Sequence, residues 1–274
     1  MTSLTTGSNL AEAPVSTKIV TLNLWQFALI YLLLIVILVI MKKARIDQSK
    51  LLVVASVRMT VQLVIAGLVL TYILRNPSPV FTVAYLLVMT AFAIYTVLSR
   101  NRGINPRFQI IVGVSLAATG LVIVCFFIMV VVGVNLFNAQ YTIPISGMII
   151  GNAMTGCSLG LKTFNESLAA QRPRIDTLLN IGAAPQRVLM PFVNTALETA
   201  LVPTLNSMLG MGIISLPGMM TGQILSGTMP MTAILYQIAI LIAISAVTCL
   251  AVFCSLFFGH RTLYNRRMQM DFSA

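Results

Sequence analysis

Acidic side chains are nearly missing from this sequence: six Asp and Glu stand against seventeen Lys and Arg, and charged residues of either sign fill only 8% of 274 positions. A soluble domain carries about a quarter charged residues, so the deficit excludes that class and points to a membrane. Histidine occurs once, as His260, in a basic tail without a carboxylate nearby. The cysteines Cys125, Cys157, Cys249 and Cys254 form no CxxC pair and lie inside apolar runs. They read as small buried packing residues, and no metal site or disulfide is expected. No GxxxxGK[ST] phosphate loop is present, so this chain does not bind ATP by that mechanism. Nothing resembles a catalytic constellation, and the expectation is a non-enzyme without a cofactor of its own.

What is abundant is apolar surface, with 58% hydrophobic residues. Spanning a bilayer takes about 20 mainly apolar residues. Seven runs qualify: Leu22–Met41, Leu51–Leu74, Val80–Ser99, Phe108–Gly133, Ile143–Ala169, Phe192–Ser215 and Met231–Gly259. The fold class expected is an all-α polytopic membrane protein with seven transmembrane helices.

The net charge of +11 is compatible with nucleic-acid binding, but its distribution argues against it. Lys42, Lys43, Arg45 and Lys50 fill the first loop, Arg100, Arg102 and Arg107 the third, Arg172, Arg174 and Arg187 the fifth, and Arg261, Arg266 and Arg267 the carboxyl tail. Lys18 and Arg75 are alone in the alternate segments. Lys and Arg accumulate on the cytoplasmic side of membrane proteins, which puts the N-terminus outside and the C-terminus in the cytoplasm of a multi-pass cell-membrane protein. Its partners are then lipid and protein rather than nucleic acid. The stretch before Leu22 lacks a basic start and an apolar core and does not read as a cleaved signal peptide. The expected layout is an extracytoplasmic tail 1–21, a membrane domain 22–259 with a long cytoplasmic loop 170–191, and a basic cytoplasmic tail 260–274.

Polar residues inside the runs carry the functional expectations. Arg58 and Glu198 each lie about 10 Å deep from the cytoplasmic side at ~1.5 Å per residue. They either pair between helices or snorkel separately to the interface. Lys162 and Glu166 are one helical turn apart and can pair. Asn194, Glu198 and Asn206 form a polar stripe on the sixth run, which suits a substrate path or interhelical hydrogen bonds; Asn152 is its counterpart on the fifth. Gly147 with Gly151, and Gly156 with Gly160, make two GxxxG pairs that let helices approach closely, either within one subunit or against a second copy.

Two stretches break the apolar pattern. In "SLPGMMTGQILSG" (215–227), Pro217 removes a backbone donor and Gly218 permits unusual dihedrals. A broken or re-entrant segment follows, with Met219, Met220 and Gln223 as candidate gate or pathway residues. The methionines also suit simple gap-filling. In the long loop, Arg172 and Arg174 open a short amphipathic helix carrying Ile175, Leu178, Leu179 and Ile181. Gly182 and Pro185 stop it.

Five segments in order, "IPISGMIIGNAM" (143–154), "LLNIGAAPQ" (178–186), "ALVPTLNSM" (200–208), "IISLPGMMTGQILSG" (213–227) and "AILYQI" (233–238), resemble the FetB/YbbM-type ABC permease family. Asp176, six positions before Gly182, is similar to the opening of the EAA signature of such permeases. The resemblance implies a homodimeric permease subunit paired with a cytosolic ATP-binding-cassette ATPase that holds the ATP and Mg. Arg172, Arg174, Asp176 and Gly182 would then belong to a coupling helix. Bacterial members of the family are associated with iron export, and plant relatives with aluminium tolerance and nucleotide-sugar transport.

Overall fold

The computed structural model of the chain describes residues 23–101 and 103–264. The expected tail 1–21, Leu22, Arg102 and the residues from 265 onward, Arg266 and Arg267 among them, lie outside the described residues. Among the described residues, nine α-helices follow one another: α1 (Leu24–Lys43), α2 (Ser49–Arg75), α3 (Pro79–Arg100), α4 (Pro106–Phe126), α5 (Ala139–Ala170), α6 (Arg172–Asn180), α7 (Pro185–Gly210), α8 (Gly218–Leu225) and α9 (Pro230–Gly259). Every apolar run has its helix, and the short α6 and α8 occupy the two stretches where glycine and proline break the pattern. Among the described residues, five helices (α2, α3, α4 with its extension, α7 and α9 with its terminal turn) are long and apolar enough to cross a membrane. Although α5 has 32 residues, its apolar side chains are diluted by Gly, Ser, Thr and Asn152. The chain is an all-α, multi-pass membrane protein.

The sixth run starts earlier than expected, at Pro185 rather than Phe192, and ends at Gly210 rather than Ser215. Proline at the first helical position has its φ preset and no N–H to leave unpaired, so the helix begins there and takes Arg187 into its first turn. At the other end the chain turns through Gly212, whose φ is +86°. The Gly212 N–H donates to the Ser215 carbonyl at 3.0 Å.

Contacts divide the chain into two compact units. One comprises the chain up to Thr60 together with Leu216–Gln237, and so contains α1, the start of α2, α8 and the start of α9. Within it the Tyr31 and Thr60 hydroxyls are 2.6 Å apart, tying α1 to α2. The other comprises Val61–Ser215 and the chain from Ile238. Its centre is α5, which packs against α3, α4 and α7. Ile149, Ala153, Cys157, Leu161 and Phe164 recur every three or four residues along α5 and are fully buried; this spacing puts them on one helix face. The Phe164 ring meets Phe108 of α4 edge-on at 6.2 Å.

Two features of this unit depart from simple spans. The last turn of α4 opens into a π-helical segment, Phe127–Val132, closed by Gly133 at φ +74°. Such segments are rare and cluster at functional sites. His260, read from sequence as the first residue of the basic tail, is fully buried just past α9. Its Nδ1 lies 3.0 Å from the Leu256 carbonyl oxygen. The apolar stripe of α9 continues through Leu256, and His260 follows it on the same face at i+4, so the helix carries the imidazole inward.

Candidate functional site

A cavity of about 240 Å³ opens among α5, α7 and α9. Asn152 and Thr155 line it from α5, Pro203, Thr204 and Ser207 from α7, and Leu241 from α9. Its polar groups share one arrangement. The Asn152 Nδ2 donates to the Met148 carbonyl at 2.7 Å, the Thr155 hydroxyl to Gly151 at 3.0 Å and the Ser207 hydroxyl to Pro203 at 2.9 Å. The two hydroxyl donors and one of the two Asn152 amide N–H groups are thus spent on carbonyls four residues earlier in their own helices, while the side-chain oxygens of these three residues can still accept. The wall is therefore rich in acceptors and carries no formal charge.

Of the pathway residues expected from sequence, only Asn152 lines this cavity. Asn194, Glu198 and Asn206 are exposed on α7. At about 100° per residue, Asn194 and Glu198 fall on roughly the opposite side of the helix from Ala200, Thr204 and Ser207. Thr155, Thr204 and Ser207 were not singled out from sequence. Their signal is faint, because a hydroxyl satisfied within its own helix is common on any membrane helix. Arg58, on α2 in the other unit, is exposed, as is Glu198. Lys162 and Glu166 pair at 3.8 Å on the exposed surface of α5. Among the described residues, no group of three or more His, Cys, Asp or Glu comes together.

The two GxxxG pairs have different fates. A Cβ added at Gly156 would collide with the Thr248 methyl of α9, and one at Gly160 would come within 2.8 Å of Val252 and 3.4 Å of Ala200. This second pair is used up by packing within the chain. Gly147 has only Met89 at ordinary contact distance, and at Gly151 a Cβ would meet nothing within 4 Å.

Around the Pro-Gly break, Pro217 is the extended N-cap of α8, with φ −64° and ψ 148°. Gly218 does not take the unusual dihedrals expected of it: the positive φ values flanking α8 belong to Gly212 and Gly227. Proline fixes the entry to α8, and Gly218 simply becomes its first helical residue. Met220 is buried while Met219 and Gln223 are half-buried; the Gln223 side-chain oxygen is buried without a hydrogen-bond partner.

The loop helix forms as its sequence dictates. α6 is anchored by Ile175, which is fully buried, while Arg172, Arg174 and Asp176 remain exposed. It stops where Gly182 takes φ +88°, its N–H donating to the Leu179 carbonyl at 3.0 Å. An αL glycine just past the last turn is a common helix terminator.

A model of the uncharacterised protein family UPF0014 matches residues 24–264. The chain is 33% identical over 246 residues to the UPF0014 membrane protein YjkA of Bacillus subtilis, covering 87% of this chain and 97% of the relative. It is 36% identical over 185 residues to Protein ALUMINUM SENSITIVE 3 of Arabidopsis thaliana, covering 67% of this chain and 66% of the relative. To the "Probable iron export permease protein FetB" of Escherichia coli it is 28% identical over 245 residues, covering 89% and 93%. No solved structure matches.

Proposed function

The chain belongs to the uncharacterised protein family UPF0014, and from that premise we propose that it is the membrane-spanning permease subunit of an ATP-binding-cassette exporter in the cell membrane. Two copies would work with two cytosolic ATPase subunits, which hold the ATP and Mg. The observation that carries this reading is α6: a nine-residue amphipathic helix between the long helices α5 and α7, fixed by Ile175 and presenting Arg172 and Asp176 outward. A short helix held in this way gives a cytosolic partner a surface to push on. Gly151, with its open face, is the natural point of contact with the second copy.

A metal cation is the cargo the reading favours, in keeping with the iron named for the Escherichia coli relative. The acceptor-lined cavity supports a cation that keeps its water shell, since oxygen lone pairs without carboxylates attract positive charge but do not strip its hydration. The same uncharged wall favours a second reading, in which the cargo is a small polar solute such as a nucleotide sugar or a peptide. Pro217 at the entry to α8, with Gly218, Met219, Met220 and Gln223 within it, is assigned to the gate.

The test is reconstitution of the chain with the ATP-binding-cassette protein that copurifies with it. ATPase stimulation is then read across a panel of metal ions, nucleotide sugars and peptides. Asp176→Ala should lower stimulation while leaving the membrane domain folded. Solute movement by the pure chain in vesicles without any ATPase would overturn the proposal.

A further inference from the structure

A second cavity, of about 250 Å³, lies where α5 ends, α6 crosses and α7 begins. We propose that it binds the phosphate headgroup of an anionic phospholipid. Arg174 and Arg187 both line it, with Gln171 and Thr195, and no acidic residue does. The Arg174 guanidinium donates to the Gln171 side-chain oxygen at 3.2 Å, a neutral partner that orients the charge without cancelling it. Arg187 is the third residue of α7, a helix with no acidic residue in its first turn and no side-chain cap on its N-terminal amides. The positive end of a helix dipole disfavours a cation there and attracts an anion. Two guanidinium groups thus line the cavity, and no carboxylate stands among its lining residues. Of the acids nearest in sequence, Glu166 pairs with Lys162 at 3.8 Å, and Asp176 on α6 and Glu198, one turn beyond Thr195 on α7, are exposed without lining the cavity.

The floor of the cavity decides between a free anion and an amphiphile. Ile175, Val188 and Phe192, all buried and apolar, line it between the end of α5 and the start of α7. At ~30 Å³ per water molecule the cavity has room for roughly eight waters, the scale of a phosphate with its glycerol carbons, and acyl chains can continue into the bilayer beside it. With the orientation argued from the loop charges, this is the cytoplasmic leaflet, where acidic lipids reside. The inference does not rest on the ATPase reading, because it needs no partner protein.

The experiment uses the purified full chain in a neutral detergent. Binding of a fluorescent phosphatidylglycerol is titrated and competed with unlabelled phosphatidylglycerol, phosphatidylcholine or inorganic phosphate. Saturable binding competed by phosphatidylglycerol alone is expected. Surface Lys and Arg contribute ~1 kcal/mol each towards acidic lipid, so Arg174→Gln with Arg187→Gln should weaken binding roughly 25-fold. Arg174→Lys with Arg187→Lys should keep most of it and shows that the fold tolerates change at both sites. Lys42→Gln with Lys43→Gln removes the same charge elsewhere and should leave binding intact. Equal competition by phosphatidylcholine, full competition by inorganic phosphate, or an equal loss from the Lys42/Lys43 pair would each overturn the proposal.

Discussion

Replacing Gly156 and Gly151 by alanine, five residues apart on the same helix, should have opposite consequences. At Gly151 a Cβ meets nothing within 4 Å in its own chain, so in the monomeric chain in detergent Gly151→Ala gains helix propensity of up to ~1 kcal/mol and meets no opposing contact. At Gly156 the same gain is set against a collision with the Thr248 methyl. Overpacking a tight contact costs about 1–3 kcal/mol, which leaves a net loss of ~0–2 kcal/mol. Thr248→Ser deletes only the offending methyl and keeps the hydroxyl. What remains around a Cβ at 156 is then the Thr248 Cβ at 3.6 Å and Val252 at 3.7 Å, both ordinary contacts. Thr248→Ser alone loses roughly 1 kcal/mol for the buried methyl. The double variant should therefore be more stable than the two single losses predict, with a coupling of ~1–2 kcal/mol. Thermal unfolding in a mild detergent reads this as a few degrees, at about 2–4 °C per kcal/mol for a chain of this size. Should Gly156→Ala prove as stable as Gly151→Ala, or its effect add independently to that of Thr248→Ser, the α5–α9 contact is not as described.

Two further perturbations test the remaining elements. Gly182 holds φ +88° in open space, so its requirement is conformational rather than steric. Gly182→Asn, which tolerates the left-handed region, should retain transport-linked ATPase stimulation, whereas Gly182→Val, at a cost of ~1–2 kcal/mol, should lose most of it; equal activity of the two would dismiss the helix-stop argument. Thr204→Leu with Ser207→Leu fills the cavity of about 240 Å³ from the α7 side and should reduce transport at least tenfold without altering membrane insertion or ATPase copurification; undiminished transport would move the path elsewhere.

The helices were legible because their cause is local. Apolar runs long enough to cross a bilayer become helices in any surroundings, and Gly182 marks the end of α6 almost to the residue, whereas Pro185, read as part of the stop, proves to be the first residue of α7. The inner faces were less legible. Asn194 and Glu198 looked like pathway residues because charge and amide are conspicuous among apolar neighbours, yet the cavity lies across the helix from them. Thr204 and Ser207, which do line it, are inconspicuous in sequence. A membrane helix also gives little sign of which side is inward, since lipid and protein interior are equally apolar and amphipathicity, the usual guide, is lost. The burial of His260 and the π-helical end of α4 were illegible for a related reason: both are set by tertiary packing around residues that look unremarkable one at a time.

The first helix takes this indifference furthest. Among the side chains of α1 that the structure describes, Tyr31, Leu34, Leu38 and Met41 alone are partly covered, while Trp25, Leu29, Ile30, Leu32 and Leu33 are exposed. Its composition commits it to the bilayer but says almost nothing about its rotation around its own axis. That azimuth is left to a seam one side chain wide, with the Tyr31–Thr60 hydroxyl contact as its pin. Such a helix can enter the membrane before the remainder is made and be turned into register afterwards.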